Sequence, residues 1–188
     1  HKGVFFMEDY AYIIDYLPQG RSDDKSFKRV PLALAIGETE FKLFELIPKI
    51  NITLTIGERV YIGKDLDKRT KIEHVKRRIT YEELTHAAQN ELPYVLEDIV
   101  KKQEKKFVDF FNNASPITTR LHMLELLPGL GKKTMWSIID EKKKGPFKSF
   151  QDIVERVKLS HSPEKLIVAR IVEELKNRDI KYKIFVAK

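Results

Sequence analysis

One short stretch constrains this chain more than any other. It reads Leu127-Pro128-Gly129-Leu130-Gly131-Lys132-Lys133 and lies between two amphipathic runs. Leu121, Leu124 and Leu127 recur at helical spacing before it, and Met135, Ile138 and Ile139 after it. Pro128 and Gly129 stop one helix and turn the chain. Gly131 has no side chain to keep an outside molecule from the backbone. The next helix opens there with unpaired N–H groups and the positive end of its dipole. Lys132 and Lys133 occupy that first turn, where the dipole alone would favour acids. Positive charge on a positive helix end points to an external anion, and phosphate fits.

At these residues the sequence resembles the helix-hairpin-helix family of nucleic-acid-binding modules, whose hairpin reads apolar-Pro-Gly-apolar-Gly before a basic or polar helix start. Met135 departs from that pattern, since the family often has a small residue there. A plain turn between two helices would also contain Pro-Gly-x-Gly. A second match further along supports the hairpin. Gly145-Pro146-Phe147-Lys148-Ser149 follows in the order seen in tandem members of the family. Ser149 is then expected to cap a helix carrying Phe150, Ile153, Val154 and Val157. The second hairpin would fall at residues 158–163, where no glycine is present. That unit is expected to be structural, and His161 to be a turn residue. Trp136, one turn into the helix after the first hairpin, is assigned to packing.

The 188 residues suffice for one large domain or two small ones. A net charge of +7 makes an acidic partner the expectation. That charge is uneven: +3 over residues 1–80, −2 over residues 81–120 and +6 over residues 121–188. The excess falls on the part that carries the hairpin. The absence of cysteine excludes a disulfide framework and thiolate metal sites. No apolar run approaches the ~18 residues of a membrane span, and Val4-Phe5-Phe6-Met7 is too short for a signal peptide. A cytoplasmic protein with no membrane partner is expected. Abundant Lys and Glu without Cys fits a heat-loving source.

The first 80 residues read as strands separated by turns. Residues 8–17, 30–36, 40–47, 59–62 and 72–79 are the candidates, broken by Pro18-Gln19-Gly20, Gly37-Glu38, Gly57-Glu58 and Gly63. Tyr10, Tyr12, Ile14 and Tyr16 share one parity of the first strand; Ala11, Ile13 and Leu17 share the other. Five short strands suggest a small closed antiparallel barrel of the oligonucleotide/oligosaccharide-binding (OB) type. Such barrels bind single strands with aromatic side chains and charged loops. The candidates for stacking are Tyr12, Phe27 and Tyr61; those for phosphates are Arg21, Lys25, Lys28, Arg29, Lys76, Arg77 and Arg78. Core packing is the competing role for each tyrosine. Asp23 and Asp24 are read as turn residues, and no metal or cofactor is expected.

Residues 81–114 read as a helical connector. Thr80 and Glu83 form a capping box, Pro93 ends or kinks the helix, and the apolar pattern continues to about Asn113. Ser115-Pro116 starts a helix expected to run to Leu127. Ser162-Pro163 starts another, and residues 180–186 alternate as a strand expected to dock on a barrel edge.

The fold class that results is α+β. An OB-like barrel over 1–80 and a connector over 81–114 precede a helix-hairpin-helix domain with a C-terminal strand over 115–188. Over nearly its whole length the chain resembles a family of uncharacterised archaeal proteins predicted to bind RNA. Phe5-Phe6-Met7-Glu8-Asp9-Tyr10-Ala11-Tyr12, Leu17-Pro18-Gln19-Gly20-Arg21 and the order barrel then hairpin carry that resemblance, which implies fold and partner class only.

The expected function is non-enzymatic binding of nucleic acid, RNA favoured over DNA. The N–H groups of Gly129, Leu130, Gly131 and Lys132 would grip phosphates, and Lys132 and Lys133 would add charge. Such contacts read no base and weaken with salt. Replacing Gly129 and Gly131 by valine should weaken binding with the fold largely intact. The alternatives are a duplex-DNA binder, or an adaptor docked on ribosomal, other ribonucleoprotein or transcription machinery. An enzyme is disfavoured because the sequence offers no nucleophile–base pair, metal-spaced acid cluster or Gly-Lys-Ser/Thr phosphate loop.

Overall fold

A computed structural model describes residues 8–22 and 29–188. The fold is α+β, with a curled five-stranded antiparallel sheet and five helices. The strands are β1 (Tyr10–Leu17), β2 (Leu32–Gly37), β3 (Leu43–Pro48), β4 (Arg59–Tyr61) and β5 (Ile72–Ile79), in spatial order β4-β1-β2-β3-β5. The helices are α1 (His86–Lys102), α2 (Glu104–Asn113), α3 (Lys132–Lys144), α4 (Phe150–Arg156) and α5 (Pro163–Lys176). The chain divides into two compact units. One holds the sheet up to Val95 together with Glu174–Lys188; the other is Leu96–Glu173.

The sheet forms half a barrel, with β4 and β5 at its edges. One face packs Ala11, Ile13, Ala33, Ala35, Phe44, Leu46, Val60 and Ile72 into a core. The register of β1 on β2 shifts between Ile13 and Asp15. A bulge of this kind reverses which side chains face which side. Tyr16 therefore packs against the core with Ala11 and Ile13, although a regular strand would separate them. Tyr12 is 3% exposed, so this stacking candidate is a core residue. Phe27, Lys25, Lys28, Asp23 and Asp24 lie outside the described residues.

β3 is buried on both faces. Leu43 and Glu45 occupy the side opposite Phe44 and Leu46, and Glu45 is only 1% exposed. Burying a carboxylate this deeply requires ionic partners. Arg77, directly across on β5, donates from Nε and Nη2, each at 3.0 Å. Arg21 donates from Nε at 2.8 Å. Arg77 also reaches Glu83 at 2.8 Å, and the Thr80 N–H donates to the same carboxylate at 2.9 Å. These contacts, the Arg77 guanidinium foremost, lower the Glu83 pKa to about 2. Its stabilising effect is therefore complete above the ordinary value of 4.5 and lost as pH falls through about 2. The melting temperatures of the protein and Glu83→Gln should differ at pH 7 and converge near pH 2. Water screens so exposed a pair, so the gap at pH 7 should correspond to less than about 1 kcal/mol.

The Thr80–Glu83 capping box is present, but it closes a 3-10 turn, Tyr81–Glu83. Thr85 opens α1 instead, accepting the Ala88 N–H at 3.0 Å. Pro93 lies inside α1, which continues to Lys102; the break before α2 falls at Gln103. Ser115-Pro116 starts no α-helix. The chain folds back through a Pro116–His122 bridge, and only Met123–Leu126 winds, as a 3-10 turn. Ile117, Thr118 and Thr119 are β-branched in sequence and resist helix, which the apolar spacing alone conceals.

The C-terminal segment is likewise not a strand. Glu174, fully buried near the end of α5, accepts the N–H groups of Ile184, Phe185 and Val186 at 2.9, 3.1 and 2.9 Å. The carboxylate satisfies backbone donors that a β-ladder would otherwise pair. The tail still meets the β5 edge, where Arg78 donates to the carbonyls of Ala187 and Lys188.

Candidate nucleic-acid interface

The corner at Pro128–Gly131, where the hairpin was expected, is held from both sides by apolar anchors. Leu127 and Leu130 are both buried, so the chain must turn tightly between them. Gly129 makes that turn with φ +86°, a region L side chains avoid. A Cβ there would lie 3.4 Å from the His161 ring and 4.0 Å from Leu166. His161, in the turn between α4 and α5, thus closes one side of the corner.

Gly131 differs. Its φ of −84° is ordinary, and a Cβ built on it would meet nothing within 4 Å. It is the N-cap of α3 and offers no capping side chain. Among the described residues, the N–H groups of Gly129, Gly131, Lys132 and Lys133 have no hydrogen-bond partner. The Leu130 N–H, one of the four amides expected to grip phosphate, instead donates to the Leu127 carbonyl at 3.1 Å. The consecutive open donors at the start of α3 are therefore those of Gly131, Lys132 and Lys133.

The two lysines are not equivalent. The Lys132 ammonium lies 3.3 Å from a Glu125 carboxylate oxygen. The other Glu125 oxygen accepts the His122 N–H at 2.9 Å, and His122 Nδ1 accepts from the Leu124 N–H at 3.0 Å. The backbone bond from His122, followed by Lys132, holds the Glu125 pKa below its usual value. Partial burial, then the charge of Lys142, lowers that of His122 and keeps its Nδ1 free to accept. Lys133 has no ion-pair partner among the described residues. Trp136 is 55% exposed and shares the α3 face of both lysines, three and four residues on. The packing role assigned to it from sequence is thus corrected.

Downstream, Ser149 caps α4 as expected, accepting the Asp152 N–H at 2.9 Å. Asn112 clamps Phe147 through both backbone groups, at 2.7 and 2.9 Å. Arg156 donates to the carbonyls of Gly145 and Pro146, just beyond the C-terminal end of α3. These contacts fix the helix whose other end is open.

The phosphate candidates on the sheet are largely occupied. Arg21 and Arg77 are committed to Glu45 and Arg78 to the C-terminal carbonyls, while Arg29 donates to the Arg21 carbonyl at 3.3 Å. Lys76 is the least engaged, 4.0 Å from Glu45 and 52% exposed.

The family described as "Protein of unknown function (DUF655)" matches residues 7–187. The chain belongs to this family. An uncharacterised protein of Methanocaldococcus jannaschii is 49% identical over 180 residues, which are 95% of this chain and 80% of that protein. The crystal structure of Af1531 from Archaeoglobus fulgidus is 54% identical with a TM-score of 0.90, covering 96% of this chain and all of that one. Both relatives are archaeal, and among the described residues no helix is long and apolar enough to cross a membrane.

The sequence alone did not point to one group on the sheet. Tyr10 and Arg59 meet across β1 and β4, with the guanidinium 3.6 Å from the ring centroid. Arg59 and Tyr61 lie two residues apart and hence on one face of β4. That was the only local signal available.

Proposed function

We propose that this protein is a non-enzymatic nucleic-acid-binding protein that grips phosphates without reading bases, with RNA favoured over duplex DNA. The grip is assigned to a helix-hairpin-helix-like corner, with the OB-like sheet adding contacts. The observation that carries this reading is the start of α3. There, among the described residues, the N–H groups of Gly131, Lys132 and Lys133 have no partner, and a Cβ at Gly131 would meet nothing within 4 Å. Such a helix end is a ready anion site, and the surplus of positive charge lies in the same part of the sequence.

The hairpin assignment draws support from the left-handed Gly129 between buried Leu127 and Leu130. The element before the turn is a 3-10 turn rather than a full helix, which shortens the module without moving the α3 amides. Exposed Trp136 beside Lys132 and Lys133 favours strands with accessible bases, because aromatic faces stack unpaired bases. That is the reason for placing RNA ahead of duplex DNA.

The test is the double variant Lys132→Glu/Lys133→Glu. Single-stranded RNA, folded RNA and duplex DNA are titrated across salt concentrations. The expected result is at least a ~10-fold loss of affinity and a salt slope shallower by about one per lysine removed. Equal affinity in protein and variant would overturn the assignment to the hairpin. No affinity of the unaltered protein for any of the three would leave the adaptor reading.

A further inference from the structure

The sheet unit carries a cleft of about 420 Å³, lined by Tyr10, Arg59, Val60, Tyr61, Lys68, Thr70 and Lys71. Its volume falls in the ~300–1,000 Å³ range of small-ligand sites. Tyr10 and Tyr61 face each other across β1 and β4 and pack edge to face, centroids 5.2 Å apart at 76°. The Arg59 guanidinium lies over Tyr10, its central carbon 3.6 Å from the ring centroid. Glu38 pins the same group with two bonds, Nε to Oε1 at 2.8 Å and Nη2 to Oε2 at 3.0 Å. One face of the planar cation is covered by tyrosine and its edge is held by carboxylate. The Arg59 side chain is nevertheless 45% exposed, so it remains open to a molecule from solvent.

A guanidinium fixed in this way is a stacking surface, because nucleobases stack on arginine planes as they do on aromatic rings. The ring and the two carboxylate bonds restrict it before any ligand arrives, which lowers the entropic cost of binding. The charges around it are not equal. Glu38 pairs with Arg59 and Glu58 with Lys71. Lys68 has no carboxylate partner among the described residues; its ammonium lies 5.7 Å from the Tyr61 ring. The cleft therefore joins a planar stacking surface to one uncommitted cation.

We infer that this cleft takes a nucleotide unit, the base stacked on Arg59 and the phosphate held by Lys68. The unit is either a free nucleoside monophosphate or one residue of a single-stranded RNA. The second form rests on the nucleic-acid-binding function proposed above; the first does not. In both, the contact is with base faces and phosphate and tolerates any base.

The test uses the full chain and three probes: a nucleoside 5′-monophosphate, a short single-stranded RNA, and ribose 5-phosphate as the control without a base. Binding is measured by calorimetry, and the Tyr61 ring resonances are followed by NMR. Arg59→Lys keeps the charge and removes the plane. Lys68→Ala alters an exposed residue and leaves the Arg59–Glu38 pair in place. Each should weaken nucleotide or RNA binding by about 5- to 100-fold, the range expected for losing one stacked base or one close charge. Ribose 5-phosphate should bind weakly and be indifferent to Arg59→Lys.

If mononucleotide binding survives Lys132→Glu/Lys133→Glu and is lost in the cleft variants, the cleft is a nucleotide site independent of the hairpin. If only the RNA responds to the cleft variants, the occupant is a strand residue. RNA binding that depends on Lys132 and Lys133 but ignores Arg59→Lys and Lys68→Ala would overturn the cleft while leaving the wider function standing. No response of Tyr61 to either base-containing probe overturns it as well.

Discussion

Glu45→Ala is expected to cost about 3 kcal/mol of stability, the lower end of the ~3–5 kcal/mol seen when one partner of a buried ion pair is removed. The carboxylate is 1% exposed, and two arginines converge on it from separate segments of the chain. Its loss leaves the Arg21 guanidinium without its anion and leaves Arg77 with Glu83 alone. Arg77 is 44% exposed and can turn to water, which keeps the cost at the low end; Arg21, at 24%, has less freedom. For a chain of this length that corresponds to a melting temperature lower by roughly 6–12 °C. Glu45→Gln keeps one acceptor oxygen and should cost about 1 kcal/mol. Chemical denaturation of the three proteins measures both figures. A Glu45→Ala variant as stable as the parent would show that the arginines gain nothing from this carboxylate and would return them to the list of phosphate ligands.

That cluster also shows what a sequence conceals. All five strands were legible from alternation and turns, because Gly20, Gly37, Gly57 and Gly63 punctuate them. The basic residues near them looked like a binding surface for the same local reason: charge clusters in sequence. Their partner is 24 residues from Arg21 and 32 from Arg77, a pairing that only the register of β3 on β5 brings about. The bulge after Ile13 is equally silent. It moves Tyr16 to the core side without any glycine or proline to announce it. The turn at Gly129 and the start of α3 were easier because their determinants are local: a left-handed glycine, two flanking leucines and a helix start within seven residues. Where the local rule was a Ser-Pro helix start followed by helical spacing, over residues 115–127, it failed. Apolar period does not register that a β-branched run prefers to fold back. The C-terminal tail failed for a related reason. Its alternation is real, but one buried carboxylate on α5 supplies the acceptors that a neighbouring strand would have supplied.

Gly129 and Gly131 should respond to substitution in opposite ways, which separates fold from function within three residues. Gly129→Val places a β-branched residue at φ +86° beside the His161 ring. Backbone strain of this kind costs about 1–3 kcal/mol, so the expectation that valine here leaves the fold intact does not hold. Gly131→Asp meets open space at an ordinary φ and puts a carboxylate at the N-cap of α3. There it accepts the free N–H groups and complements the dipole, raising stability by about 0.5 kcal/mol. The same carboxylate occupies the donors assigned to phosphate and repels it. Nucleic-acid affinity should therefore fall at least ~10-fold while the melting temperature holds or rises. Thermal melts and RNA titrations on the two single variants decide this. A Gly131→Asp protein that binds as well as its parent would mean that the α3 amides never touch the polyanion. Loss of affinity only in Gly129→Val, in step with its stability, would mean that binding tracks folding rather than this corner.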